Sequence, residues 1–62
     1  MSERKYRLIM LINGTQTTRD VMLDSTQPVI DILNWPEDEY DFRAKLKKVF
    51  VPRDDGVEEQ IY

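Results

Sequence analysis

The run from 6 to 12, "YRLIMLI", is apolar at every position but Arg7 and rich in strand-forming residues. A second such run, residues 17–24, follows the dipeptide Asn13-Gly14. Asn-Gly between two such runs predicts a hairpin, because both central residues of the favoured turn take positive φ. A two-residue turn sets Ile12 opposite Thr15, Met10 opposite Thr17, Arg7 opposite Asp20 and Tyr6 opposite Val21. In this register Arg7 and Asp20 are directly opposed charges, and Tyr6, Leu8, Met10, Ile12, Val21 and Leu23 share one face. The other face carries Ile9, Leu11 and Met22, so the pattern asks for a second cover, either a dimer partner or the chain end.

The next segment, "QPVIDILN" at 27–34, has helical periodicity. Ser25 or Thr26 suits the N-cap, Pro28 is tolerated in the first turn, and Pro36 disfavours α geometry at Trp35. The helix is then about two turns long. Helical spacing turns Val29, Ile32 and Leu33 toward the sheet and Ile30, Asp31 and Asn34 away from it, which leaves Ile30 as an apolar residue on the outside.

From Tyr40 to Lys47 apolar and polar residues alternate without a break, the pattern of a half-buried strand. A helical alternative uses Phe42, Leu46, Val49 and Phe50 and is favoured by the propensities of Ala, Leu and Lys. The strand matches more positions and Val49-Phe50-Val51 continues it, with Lys47-Lys48 as a bulge or the point where burial ends. Residues 53–62 are polar, hold a glycine turn and have no period, so they read as a loose tail. The expected fold class is α+β, strand-strand-helix-strand, with a small antiparallel sheet and one short helix. Residues 1–52 form a single interaction domain and 53–62 a polar C-terminal tail.

Composition changes this picture in three ways. A 62-residue chain buries only ~60% of the surface its unfolded form exposes, and with neither Cys nor His it has no disulfide or zinc to compensate, so a homodimer is expected. The absence of Cys fits a reducing cytoplasm, and no window approaches the ~18 apolar residues of a membrane helix or the apolar core of a secretory signal. A cytoplasmic protein without a membrane partner is the expectation. The net charge of −3, from 12 acids and 9 bases, with acids concentrated between Asp31 and Asp41 and again at Asp54, Asp55, Glu58 and Glu59, favours a basic protein partner over direct nucleic-acid binding.

The chemistry available is narrow. Without His or Cys, most general-base and nucleophile arrangements are missing, and Glu37, Asp38, Glu39 and Asp41 read as solvated acids rather than a paired catalytic site. Asp54-Asp55-Gly56 with Glu58 and Glu59 lacks the ligand spacing of a calcium loop. No enzyme activity, cofactor, metal or small-molecule substrate is expected. Arg43, Lys45 and Lys47 on one side of the third strand offer an alternative reading, a small nucleic-acid-binding module. A structural subunit or an inhibitor of another DNA-acting enzyme is a further option.

The more informative constellation is Ile30, Asp31 and Asn34 with Trp35, Glu37 and Tyr40, an apolar and aromatic centre beside a negative rim. It suits a basic partner with a protruding apolar side chain. Here the chain resembles the small uracil-DNA glycosylase inhibitors of Bacillus phages that replicate by protein priming. Tyr6, Met10, Leu11 and Ile12 follow the pattern of that family's first strand, Ile30, Asp31, Ile32 and Leu33 its helix, and Lys45, Leu46, Lys48 and Val49 its closing strand, in order from residue 6 to about 51.

The resemblance implies a protomer that dimerises and blocks a bacterial uracil-DNA glycosylase in its DNA-binding groove. Paired helices would frame a pocket for the apolar side chain that the enzyme wedges into DNA, and carboxylates would stand in for phosphates. A base-flipping enzyme must expose both a wedge and a basic groove, which a protein mimic can exploit. Ile30 takes the family's large apolar helix position and Asp31 its functional acid. Asn34 stands where the family has a functional tyrosine, with Trp35 and Tyr40 as the nearby aromatics that could replace it.

Overall fold

Asn13 and Gly14 take φ of 52° and 79° and fold the first two strands onto each other. Strand β1 (Arg4–Ile12) pairs antiparallel with β2 (Thr15–Leu23), with Ile12 opposite Thr15, Arg7 opposite Asp20 and Tyr6 opposite Val21. In the computed structural model, which describes residues 2–62, two short helices follow, α1 (Gln27–Leu33) and α2 (Asp41–Lys45). The chain then returns as β3 (Leu46–Pro52) and β4 (Glu58–Gln60). The sheet order is β2-β1-β3-β4 with every neighbouring pair antiparallel, which makes this a small α+β domain.

One face of the sheet carries the core. Tyr6, Leu8 and Met10 of β1 are buried with Val29 of α1 and Leu46, Val49 and Val51 of β3, and Ile12, Val21, Leu23, Ile32, Leu33 and Phe42 pack around them. The alternation read from β1 and β2 therefore places those residues as expected. Thr26 holds the N-cap position of α1 but makes no capping bond, because its Oγ1 is 2.9 Å from the Tyr6 hydroxyl and ties the helix start to the sheet instead.

The segment expected as one strand from Tyr40 onward is corrected at its first half. Residues 41–45 are helical, closed by the Ala44 N–H donating to the Tyr40 carbonyl at 3.0 Å. Asp41 sits in the first turn and Lys45 in the last, where each complements the helix dipole, and their side chains pair at 2.8 Å one turn apart. A single helical turn satisfies the binary pattern almost as well, and it places Phe42 against the core and buries Arg43. The strand begins only at Leu46. Ile9 faces Lys48 while Met10 faces Leu46, so Lys47 is the extra residue of a bulge, and that shift brings Leu46 into phase with Val49 and Val51 on the core face.

The loose tail is also corrected. Arg53 and Val57 flank a turn in which the Gly56 N–H donates to the Arg53 carbonyl at 3.0 Å, with Gly56 at φ 85°. Asp55 accepts from the Val57 N–H at 3.1 Å, and Glu58–Gln60 then pairs with β3. The signal was present as Asp-Gly after a strand, but the segment beyond it is too polar for a periodicity argument.

The second sheet face is divided rather than continuously apolar. Arg7 pairs with Asp20 of β2 at 3.3 Å and with Glu58 of β4 at 3.6 Å, so an ion network crosses its middle. Ile9 is buried, whereas Leu11 and Met22 are exposed at opposite ends of β1 and β2, roughly 20 Å apart at ~3.3 Å per residue. Leu46→Ala should lower the unfolding free energy by about 2–5 kcal/mol in urea titration, and Leu11→Ala by no more than about 0.5 kcal/mol. Equal losses would show that Leu11 is covered in solution.

Candidate partner-binding surface

A seven-residue helix has two sides to place, and here they diverge. Val29 is its one buried residue, with Ile32 and Leu33 half-buried beside it. On the other side Ile30 is 41% exposed, and Asp31 and Asn34 are exposed as well. The Asp31 carboxylate accepts from Gln27 Nε2 at 2.8 Å, one turn back, which orients it along the outer stripe.

The helix ends as the Pro36 position demands. The Trp35 N–H donates to the Ile32 carbonyl at 3.0 Å, and residues 37–39 turn, with the Glu39 N–H reaching the Pro36 carbonyl at 3.3 Å. Tyr40 is extended at φ −125°, ψ 118°. The turn therefore brings the Tyr40 ring back against Trp35, with centroids 4.8 Å apart and planes inclined at 34°. Both rings remain accessible, Trp35 at 38% and Tyr40 at 46%. Each of the six residues expected in the site is exposed, and two of them form a direct aromatic pair.

Glu37, exposed as a rim acid, also makes contacts within the chain. Its Oε1 accepts from the Tyr62 hydroxyl at 2.9 Å and lies 3.4 Å from Nη1 of Arg43, so it faces a structural cation as well as solvent. Arg43 is only 6% exposed, and its guanidinium carbon sits 4.5 Å from the centre of the Tyr62 ring. Its Nε and Nη1 have no hydrogen-bond partner among the described residues. Arg43 and Tyr62 are thus parts of the site's support that the sequence pattern did not reveal. They lie far apart in the chain, and no local periodicity links them.

This arrangement removes the basic strand on which the nucleic-acid alternative stood. Arg43 is buried, Lys45 pairs with Asp41, and Lys47 Nζ donates to the Ala44 carbonyl at 3.2 Å across the helix end. By contrast, the stretch from Asp20 to Phe42 holds seven acids and no Lys or Arg. Among the described residues no three acids converge on a metal-binding geometry. Two open depressions that share Arg4 and Thr26 lie along the β1, β3 and pre-helix segments, and none of the six site residues lines either.

No protein-family model, curated protein or solved structure matches this chain. The surface is therefore read from its own chemistry: an aliphatic side chain, an indole and a phenol, exposed together on one helix and its turn and surrounded by carboxylates. Tyr62→Ala removes both the ring over Arg43 and the hydrogen bond to Glu37, and should cost about 1–2 kcal/mol in chemical denaturation. Tyr62→Phe keeps the ring and should recover about half of that. Identical losses for the two would assign the whole effect to the hydroxyl.

Proposed function

We propose that this protein is a proteinaceous inhibitor of a bacterial uracil-DNA glycosylase, of phage origin and acting in the host cytoplasm against DNA repair. The exposed outer stripe of α1 binds the enzyme's groove, Ile30 contributing to a socket for the apolar side chain that intercalates into DNA. Asp31 and the acids of the following turn take the place of phosphates. The protein is not an enzyme in this reading and uses no cofactor.

The observation that carries the proposal is the exposure of Ile30 on a helix whose inner side is buried, followed in the chain by the exposed Trp35–Tyr40 pair. An aliphatic and two aromatic side chains exposed on one helix and the turn after it have the composition of an interface centre. The uninterrupted negative character of residues 20–42 supports a basic groove as the complement. The burial of Arg43 removes the cation that the alternative needed most.

Pairing of two copies belongs to the proposal. A chain of this size gains from association, and β2 leaves a complete nine-residue edge unpaired. A second α1 brought alongside the first would supply the other wall of the socket. Sedimentation equilibrium should report twice the monomer mass.

The test is uracil excision from single-stranded DNA with added protein. The intact chain should abolish excision at stoichiometric concentration, and Ile30→Asp should weaken inhibition at least about tenfold, the effect of losing roughly 1.4 kcal/mol at an interface anchor. Glu59→Ala, on β4, should inhibit like the parent. Unimpaired excision at saturating protein would refute the target. Equal effects of the two substitutions would displace the site from α1.

A further inference from the structure

We propose that the outer face of the Trp35–Tyr40 pair, with Asp38 and Glu39 on the intervening turn, is a docking site for an arginine side chain of the partner protein. The proposal rests on the surface being partner-facing, but not on the partner being a glycosylase.

The argument begins with what the two rings leave open. They lie against each other at 4.8 Å, so each shields one face of its neighbour while both stay more than a third exposed. A paired indole and phenol present a negative π surface, and a cation placed over it is attracted without having to shed all its water. The turn between the rings carries three consecutive carboxylates, Glu37, Asp38 and Glu39. Glu37 is engaged by Tyr62 and Arg43, whereas Asp38 and Glu39 make no ion pair among the described residues. The site therefore offers a stacking surface and two nearby carboxylates that pair with no basic side chain among the described residues.

Arginine meets both demands at once. Its planar guanidinium stacks on an aromatic face while its edge donors reach carboxylates, a geometry that an ammonium group cannot reproduce. The molecule already contains one instance of this recognition. Arg43 of α2 lies over the Tyr62 ring at 4.5 Å, with its Nη1 3.4 Å from the Glu37 carboxylate in an ion pair without a hydrogen bond, so a ring and a carboxylate already flank one guanidinium in this fold. The Trp35–Tyr40 pair, with Asp38 and Glu39 between its two residues in the chain, presents the same two chemical elements on the exposed surface.

Trp35 is the chain's single tryptophan and reports directly on its own face. The experiment titrates the full chain with the short peptide Gly-Arg-Leu-Gly, amidated and acetylated, and follows Trp35 emission. The peptide should produce a saturable change. Its lysine counterpart should bind at least about threefold more weakly, and a citrulline counterpart, neutral but of the same shape, should give none. Tyr40→Phe should preserve the response, while Asp38→Asn combined with Glu39→Gln should reduce the affinity severalfold without altering the circular dichroism of the chain.

An absent or unsaturable response overturns the proposal. So does equal binding of the citrulline peptide, which would mean simple apolar contact, or equal binding of the lysine peptide, which would mean charge alone. A larger response to a single-stranded oligonucleotide than to the peptide would overturn it as well. No glycosylase is present in the titration, so its outcome and that of the excision assay are read independently.

Discussion

Packing of Val29 into the sheet is the contact on which the rest of the surface depends. A helix of seven residues does not form alone, since nucleation outweighs the few hydrogen bonds it can close. It exists because Val29 is buried in the core cluster with residues of β1 and β3, and Ile32 and Leu33 pack against that cluster. Tyr6 reinforces this through its bond to Thr26 at the helix start. Once those three inner positions are fixed, Ile30, Asp31 and Asn34 have no choice but to face away. The exposed stripe is a geometric consequence of the anchored one.

Arg43 shows how the adjoining turn is held. Burying a guanidinium with incomplete hydrogen bonding is costly, and the Glu37 carboxylate and the Tyr62 ring only partly offset that cost. The contact joins α2, the turn after Pro36 and the chain end beyond β4, three segments that share little apolar surface. Its effect is to restrain the loop that positions Trp35 against Tyr40. The chain end thus contributes to the candidate site through the Tyr62 hydroxyl, which donates to Glu37.

Local rules carried the hairpin and the first helix. Asn13-Gly14 specified the turn, the alternation specified the faces, and Pro28 and Pro36 bracketed α1, so even individual cross-strand partners such as Arg7 and Asp20 were legible. The stretch from Tyr40 was not, because Asp41, Phe42, Arg43, Ala44 and Lys45 satisfy a strand pattern and one helical turn alike. Tertiary packing decided between them, with Phe42 against the core and Arg43 buried. The bulge at Lys47 was legible as a break in alternation. Strand β4 and the Tyr62–Arg43 contact were hidden for a different reason: they arise from pairing between distant segments, and a polar sequence carries no period to announce it. Within the candidate site, the exposure of Ile30 followed from helical spacing, whereas the inward role of Glu37 required the position of Tyr62.

The divergence of the two sides of α1 can be measured in a chain that contains no cysteine of its own. Val29→Cys and Ile30→Cys place a thiol at adjacent positions, one turned into the sheet and one turned out. In the folded protein the thiol of Ile30→Cys should react with a maleimide at close to its rate in denaturant. That of Val29→Cys should be slowed at least about a hundredfold, in proportion to the population of open states. Comparable rates at the two positions, whether both fast or both slow, would contradict an anchored helix with an open outer face.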